Sequence, residues 1–194
     1  MLKIASVLVA MALAAPAAAE VMSGAEAKSA LFSTRGNTIQ VSGKLSKRDQ
    51  TIVRRIVPLM AKQLRQPVRY YAAIAYSPDD GLVHEALQAA MNFHTPQAAD
   101  RAAVAACNKL KSRSAQGCRV AARVVPKGYK PRPLTLSVDA TAGFTSAYQK
   151  AKAPKFLAIS RKTGNWSIGR TEQAALGACE RSGRPGDCEI VIRD

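Results

Sequence analysis

A pattern carried twice constrains this chain more than any other feature. The first copy runs from Ile74 to Val125 and the second from Leu157 to Ile192. Each holds an alanine, a serine and a glycine at one spacing: Ala75, Ser77 and Gly81, then Ala158, Ser160 and Gly164. Each continues into A-A-x-x-A-C, ending at Cys107 and at Cys179. A second cysteine, Cys118 or Cys188, then precedes an apolar run. A fold for this chain must accommodate the same local structure two times.

Local signals give that structure an order. Val68 to Tyr76 is rich in β-branched and aromatic residues and predicts a strand. Ser77-Pro78-Asp79-Asp80-Gly81 has the residues of a tight turn, with glycine able to take positive φ, so the chain returns as a second strand. Thr95 followed by Pro96 marks a helix start that runs to about Leu110. Cys118 to Val125 is then a strand. The second copy repeats this with a turn at Arg161–Asn165, a cap at Thr171, a loop at Gly183–Gly186 and a strand at Glu189–Ile192. The expected fold is α+β: two tandem β-hairpin–helix–strand units sharing one antiparallel or mixed sheet, with helices on one face.

The copies are unequal. Gly81 and Gly164 are 83 positions apart, whereas Cys107 and Cys179 are 72 apart, so the first copy holds eleven extra residues. His84, Glu85, Met91, Asn92, Phe93 and His94 lie in or beside that insertion, where function has room to settle.

Outside the copies, Lys3, the apolar run Ile4–Ala15 and the small residues Ala17-Ala18-Ala19 form a secretory leader over 1–19, with a mature start near Glu20. That run is too short to span a bilayer, so a periplasmic or secreted protein without a transmembrane segment is expected. Residues 20–45 read as a partly flexible segment with a short β-like run at Thr38–Val41. Ser46 and Asp49 resemble a capping box opening an amphipathic helix over 46–66. Ile52, Val53, Ile56, Val57, Leu59, Met60 and Leu64 gather on one arc, opposite Arg54, Arg55, Lys62 and Arg65. Pro58 should kink or divide that helix, and Pro67 ends it. The units span 68–126 and 155–194, joined over 127–154 by a basic, proline-rich connector and a helix at Ser137–Lys150.

All four cysteines lie in the two copies. In an oxidising compartment an even count reads as two disulfides, and three pairings exist on paper. The repeat favours Cys107 with Cys118 and Cys179 with Cys188, each copy closing its own loop. Zinc does not suit the spacing: there is no C-x-x-C and only two histidines are present, so no metal site is expected. No phosphate-binding glycine loop occurs, and no cofactor is expected.

The pattern Y-x-A-I-A-x-S…G, A-A-x-x-A-C and C-R-V resembles a small domain-of-unknown-function family of exported bacterial proteins, in which a hairpin and an alanine-rich helix end in a cysteine pair. The second copy, with Ala158, Ser160, Gly164, Trp166, Cys179, Asp187 and Cys188, is the more similar. The resemblance implies a secreted, disulfide-bonded module with no established activity or cofactor.

The strongest enzymatic constellation is His84-Glu85 with His94, joined by Asp79 or Asp80, since a histidine beside a carboxylate can act as a general base. A hydrolase built on these residues is the alternative function. It lacks a nucleophile elbow and an H-E-x-x-H motif, and the disulfides leave no thiol. The formal charge of +16 and pI near 10.2 point elsewhere, towards anionic partners. The candidate anion-binding residues are Lys109, Lys111, Arg113, Arg119, Arg161 and Lys162. The expected function is a non-enzymatic exported binding module for an anionic glycan, lipopolysaccharide or an acidic protein. The basic helix is expected to pack its apolar stripe on its own domain, with peripheral contact to an anionic membrane as the alternative. Specific nucleic-acid binding is not expected, because only Tyr129 interleaves with the basic run.

Overall fold

A computed structural model describes residues 21–63, 65 and 67–194. The leader at 1–19, Glu20 and Leu64 of the predicted apolar arc lie outside the described residues. The elements are α1 (Gly24–Ala30), β1 (Asn37–Val41), α2 (Lys47–Gln63), β2 (Ala72–Tyr76), β3 (Gln88–Ala90), α3 (Pro96–Leu110), β4 (Arg119–Pro126), α4 (Val138–Gly143), β5 (Phe156–Ser160), β6 (Trp166–Gly169), α5 (Glu172–Arg181) and β7 (Cys188–Arg193). A π-helical turn, Phe144–Tyr148, continues α4, so the helix predicted over Ser137–Lys150 changes its winding midway.

The fold is α+β, and its strands form two antiparallel sheets in place of the single sheet expected. The larger has the order β1-β4-β2-β3 and the smaller β6-β5-β7. The reason lies at the edges. β1 takes the outer edge of β4, with Ile39 opposite Val124, and Met22 bridges to Ile192 on the outer edge of β7. The units meet instead through the second hairpin turn, which packs on the backbone at Asn92.

Within each sheet the same connectivity recurs. β2 pairs with β3 and β4 as β5 pairs with β6 and β7. The ladder slips between Ile74 and Ala75 in the first and between Leu157 and Ala158 in the second, at positions 83 apart like the two glycines. The extra residue is Ala121 on β4 and Val191 on β7, so the bulge falls on the corresponding strand in both units, where it increases local twist.

Helices cover both faces of each sheet, not one. Alternation along β2 explains this. Ala73 and Ala75 pack with Ala99, Ala103 and Cys107 of α3, while Ala72 and Ile74 pack with Val57 of α2. In the smaller sheet Ala158 packs with Ala175 and Cys179 of α5. Leu157 and Ile159 turn the other way, to Ala27 of α1, Ala140 of α4 and Phe144 and Tyr148 of the π-helical turn. Alanine on the inner helix faces lets α3 and α5 lie close to their sheets.

The helix ends follow the sequence. Thr95 and Thr171 accept the amides of Ala98 and Ala174, each at 3.1 Å. Ser46 accepts the Asp49 amide at 3.1 Å and donates its hydroxyl to that carboxylate at 2.7 Å. A full capping box, Ser23 with Glu26, opens α1 in the segment expected to be partly flexible. α2 runs unbroken through Pro58, which faces solvent. Leu59 departs from the predicted apolar arc and is 57% exposed, whereas Val53 and Val57 are buried.

Candidate functional site

Two disulfides close the loops that the sequence proposed. Cys107 joins Cys118 and Cys179 joins Cys188, both with a Cα–Cα separation of 6.1 Å. The residue after each helical cysteine then holds the amide of its partner. Cys118 donates to Asn108 Oδ1 at 2.9 Å, and Cys188 to Glu180 Oε1 at 2.8 Å. Each bridge is thus doubled by a hydrogen bond to a side chain at the same relative position.

Carboxylates tie each of these loops to its hairpin turn, with the partners exchanged. In the first unit the turn supplies the acids: Asp79 accepts the Gln116 amide at 2.7 Å and Asp80 the Ser112 amide at 3.1 Å. In the second the loop supplies the acid, and Asp187 accepts the Lys162 amide at 2.9 Å and the Ser160 hydroxyl at 2.6 Å. Hydrogen bonds from Ser112, then Ser77, hold the Asp80 carboxyl down at about 2. Asp79 and Asp80 therefore act as anchors for backbone amides.

The first loop and the two elements it joins carry several cations. Lys109, Arg113 and Arg119 are exposed, and among the described residues none has a carboxylate within ion-pair distance. Arg119 donates to Gln116 Oε1 at 3.2 Å. Lys111 folds inward instead, its ammonium donating to the Ala115 carbonyl at 2.5 Å, so it braces the loop.

Arg161 and Lys162 are not brought to that loop. Gly164 and Asn165, in the same turn, meet residues 92–94, beside the start of β2. The Lys109–Arg119 loop is held at the far end of β2, by the turn that follows it. Arg161 pairs with Glu189, and Lys162 stays exposed.

The histidines have separate surroundings. His94 is buried, with Nδ1 accepting the Ser137 amide at 3.1 Å. The proton therefore sits on Nε2, which donates to the Asn165 carbonyl at 2.9 Å. Burial first, partly opposed by the Asn165 hydrogen bond, with Arg161 and Asp187 acting in opposite senses, brings its pKa down to about 4. His84 is half-buried and its Nδ1 accepts the Ala86 amide at 3.1 Å. Glu85 is exposed. No hydrogen bond links His84, Glu85 and His94 among the described residues.

Sequence reasoning passed over the junction itself. Asn92 takes the left-handed conformation, φ 65°, and its side chain donates to Asp139 Oδ2 at 2.8 Å and accepts the Asp139 amide at 3.3 Å. Arg69 pairs with the same carboxylate. The extra residues of the first copy thus contribute Asn92, Phe93 and His94 to the contact with the second unit.

Among the described residues no cluster of three metal-ligating side chains occurs, and no helix is long and apolar enough to cross a membrane. Comparison with protein-family models, curated proteins and solved structures finds no match.

Proposed function

We propose that this protein is an exported, non-enzymatic binding module that holds an anionic component of the cell envelope on its Lys109–Arg119 loop. In this reading the chain carries two copies of one disulfide-braced unit and belongs with the exported modules of unknown function that its cysteine pattern resembles. One observation supports it above the rest. Among the described residues, three exposed cations without acidic partners, Lys109 at the end of α3, Arg113 on the loop and Arg119 at the start of β4, flank a segment tied down by a disulfide, by Asn108 and by the carboxylates of Asp79 and Asp80. A rigid cationic loop binds an anion without the entropy cost of ordering itself first. The second unit has the same brace but spends its turn on the junction, so the unequal copies divide the work.

The test is binding to lipopolysaccharide and to heparin across a salt series. Affinity should fall steeply with salt, because exposed charges are screened. Lys109→Gln with Arg113→Gln should lower it about tenfold or more, and Asp79→Asn with Asp80→Asn should weaken it as well, although that change raises the net positive charge. Weak binding that ignores salt would sink the proposal.

A further inference from the structure

The outward face of α2 is a second cationic surface, separate from the Lys109–Arg119 loop. Lys47, Arg48, Arg54, Arg55 and Lys62 on the helix, and Arg65 just beyond it, are all exposed. Among the described residues none of them has a carboxylate within ion-pair distance. The helix has one acidic residue, Asp49, and its carboxylate accepts the Ser46 hydroxyl. At 3.6 residues per turn the five cations on the helix fall within an arc of about 120°, along a helix roughly 25 Å long. Val53 and Val57 lie on the opposite side, buried against the larger sheet. The apolar stripe is therefore already used, and the helix cannot insert it elsewhere.

We propose that this face adsorbs flat onto an anionic lipid bilayer. Its cations are spread over a strip with length and width, which matches the plane of headgroups. Leu59 decides between a bilayer and a soluble polyanion. It is 57% exposed, one turn after Arg55 and one turn before Lys62, at the edge of the cationic strip. An apolar side chain in that position contributes nothing to a polyanion in water. At a bilayer it enters the boundary between headgroups and acyl chains while the surrounding cations stay with the phosphates. The buried stripe keeps α2 docked on its own sheet, so contact is peripheral and reversible. The surface involves none of the loop residues proposed above and stands or falls independently of them.

Sedimentation with phosphatidylcholine vesicles, with and without phosphatidylglycerol, tests the proposal. Wild-type protein should adsorb to the anionic vesicles and not to the neutral ones. Each cation near an anionic leaflet changes partitioning roughly fivefold, so Arg54→Gln with Arg55→Gln should reduce adsorption about thirtyfold. Leu59→Ser should reduce it several-fold, since apolar burial then drops out. Lys109→Gln with Arg113→Gln, which removes the same charge outside this face, should reduce it less than the α2 pair does. All of these side chains are exposed, so unchanged thermal melting confirms that each variant is folded. Equal adsorption to neutral vesicles, or none to either, would overturn the proposal. So would a Leu59→Ser variant that binds as wild type while the arginine variant loses heparin binding, because that outcome assigns the face to a soluble polyanion.

Discussion

At the scale of single residues, His94 links the two units by serving both of its ring nitrogens with backbone groups. The Ser137 amide comes from the connector and the Asn165 carbonyl from the second hairpin turn. Protonation would turn Nδ1 into a donor facing another donor and would bury a charge near Arg161. The folded pKa of about 4 lies below the unfolded value of 6.5. Below pH 6.5 the unfolded chain therefore binds a proton that the folded chain refuses, and stability declines until about pH 4, by roughly 3 kcal/mol in all. Above pH 6.5 this contribution is complete. Urea denaturation of wild type and of His94→Gln should show a stability difference that is largest at neutral pH and shrinks towards pH 4. A difference constant with pH would count against the assignment. That His94 is a packed junction residue was not legible in the sequence, because its partners lie 43 and 71 positions away.

At the scale of elements, two hairpin turns that share a serine and a glycine at one spacing do different work. Gly81 needs its freedom for conformation: its φ is +82°, and open space surrounds it. Gly164 needs it for contact, because a Cβ there would lie 2.1 Å from the Asn92 carbonyl oxygen. Gly81→Ala should cost about 1–2 kcal/mol, the usual penalty for left-handed backbone in other residues. Gly164→Ala should cost more, since backbone at the junction must move to admit the methyl group. Chemical denaturation of the two variants checks that order, and equal losses would contradict it. The two alanine helices differ as well. α3 has 15 residues and α5 has 10, so part of the first copy's surplus is helix rather than loop. The capping threonines and the A-A-x-x-A-C run made both helices readable in advance. The box at Ser23 and Glu26 offered the same kind of signal for α1.

At the scale of the molecule, the units depend on segments outside them. Leu157, Ile159, Val191 and Ile192 pack under Ala27, Leu134, Leu136, Ala140, Phe144 and Tyr148, all from the N-terminal segment and the connector. The N-terminal segment also ties the two halves together, since Met22 bridges to β7 and β1 pairs with β4. An isolated fragment of residues 155–194 would leave one face of its sheet uncovered, and three strands with one helix bury too little surface to be stable alone. Its amide NMR spectrum should be poorly dispersed even with the Cys179–Cys188 bridge formed. A well-dispersed spectrum would show that the unit folds by itself.

The repeated pattern was sufficient to set the local order of hairpin, alanine helix, bridge and strand, because turns, caps and small-residue faces depend on near neighbours. It also singled out the disulfide pairs, since each closes a short loop within its own copy. Whether the strands made one sheet or two depended on which segments claimed the free edges of β4 and β7. Those claims are made by Met22 and Asn37–Val41, far away in the chain and weakly patterned. The tertiary structure alone separated the candidate cations. Among the described residues it left Lys109, Arg113 and Arg119 without a carboxylate in ion-pair distance, turned Lys111 inward and paired Arg161 with Glu189, because the position of a charge relative to its neighbours is settled only when distant elements pack.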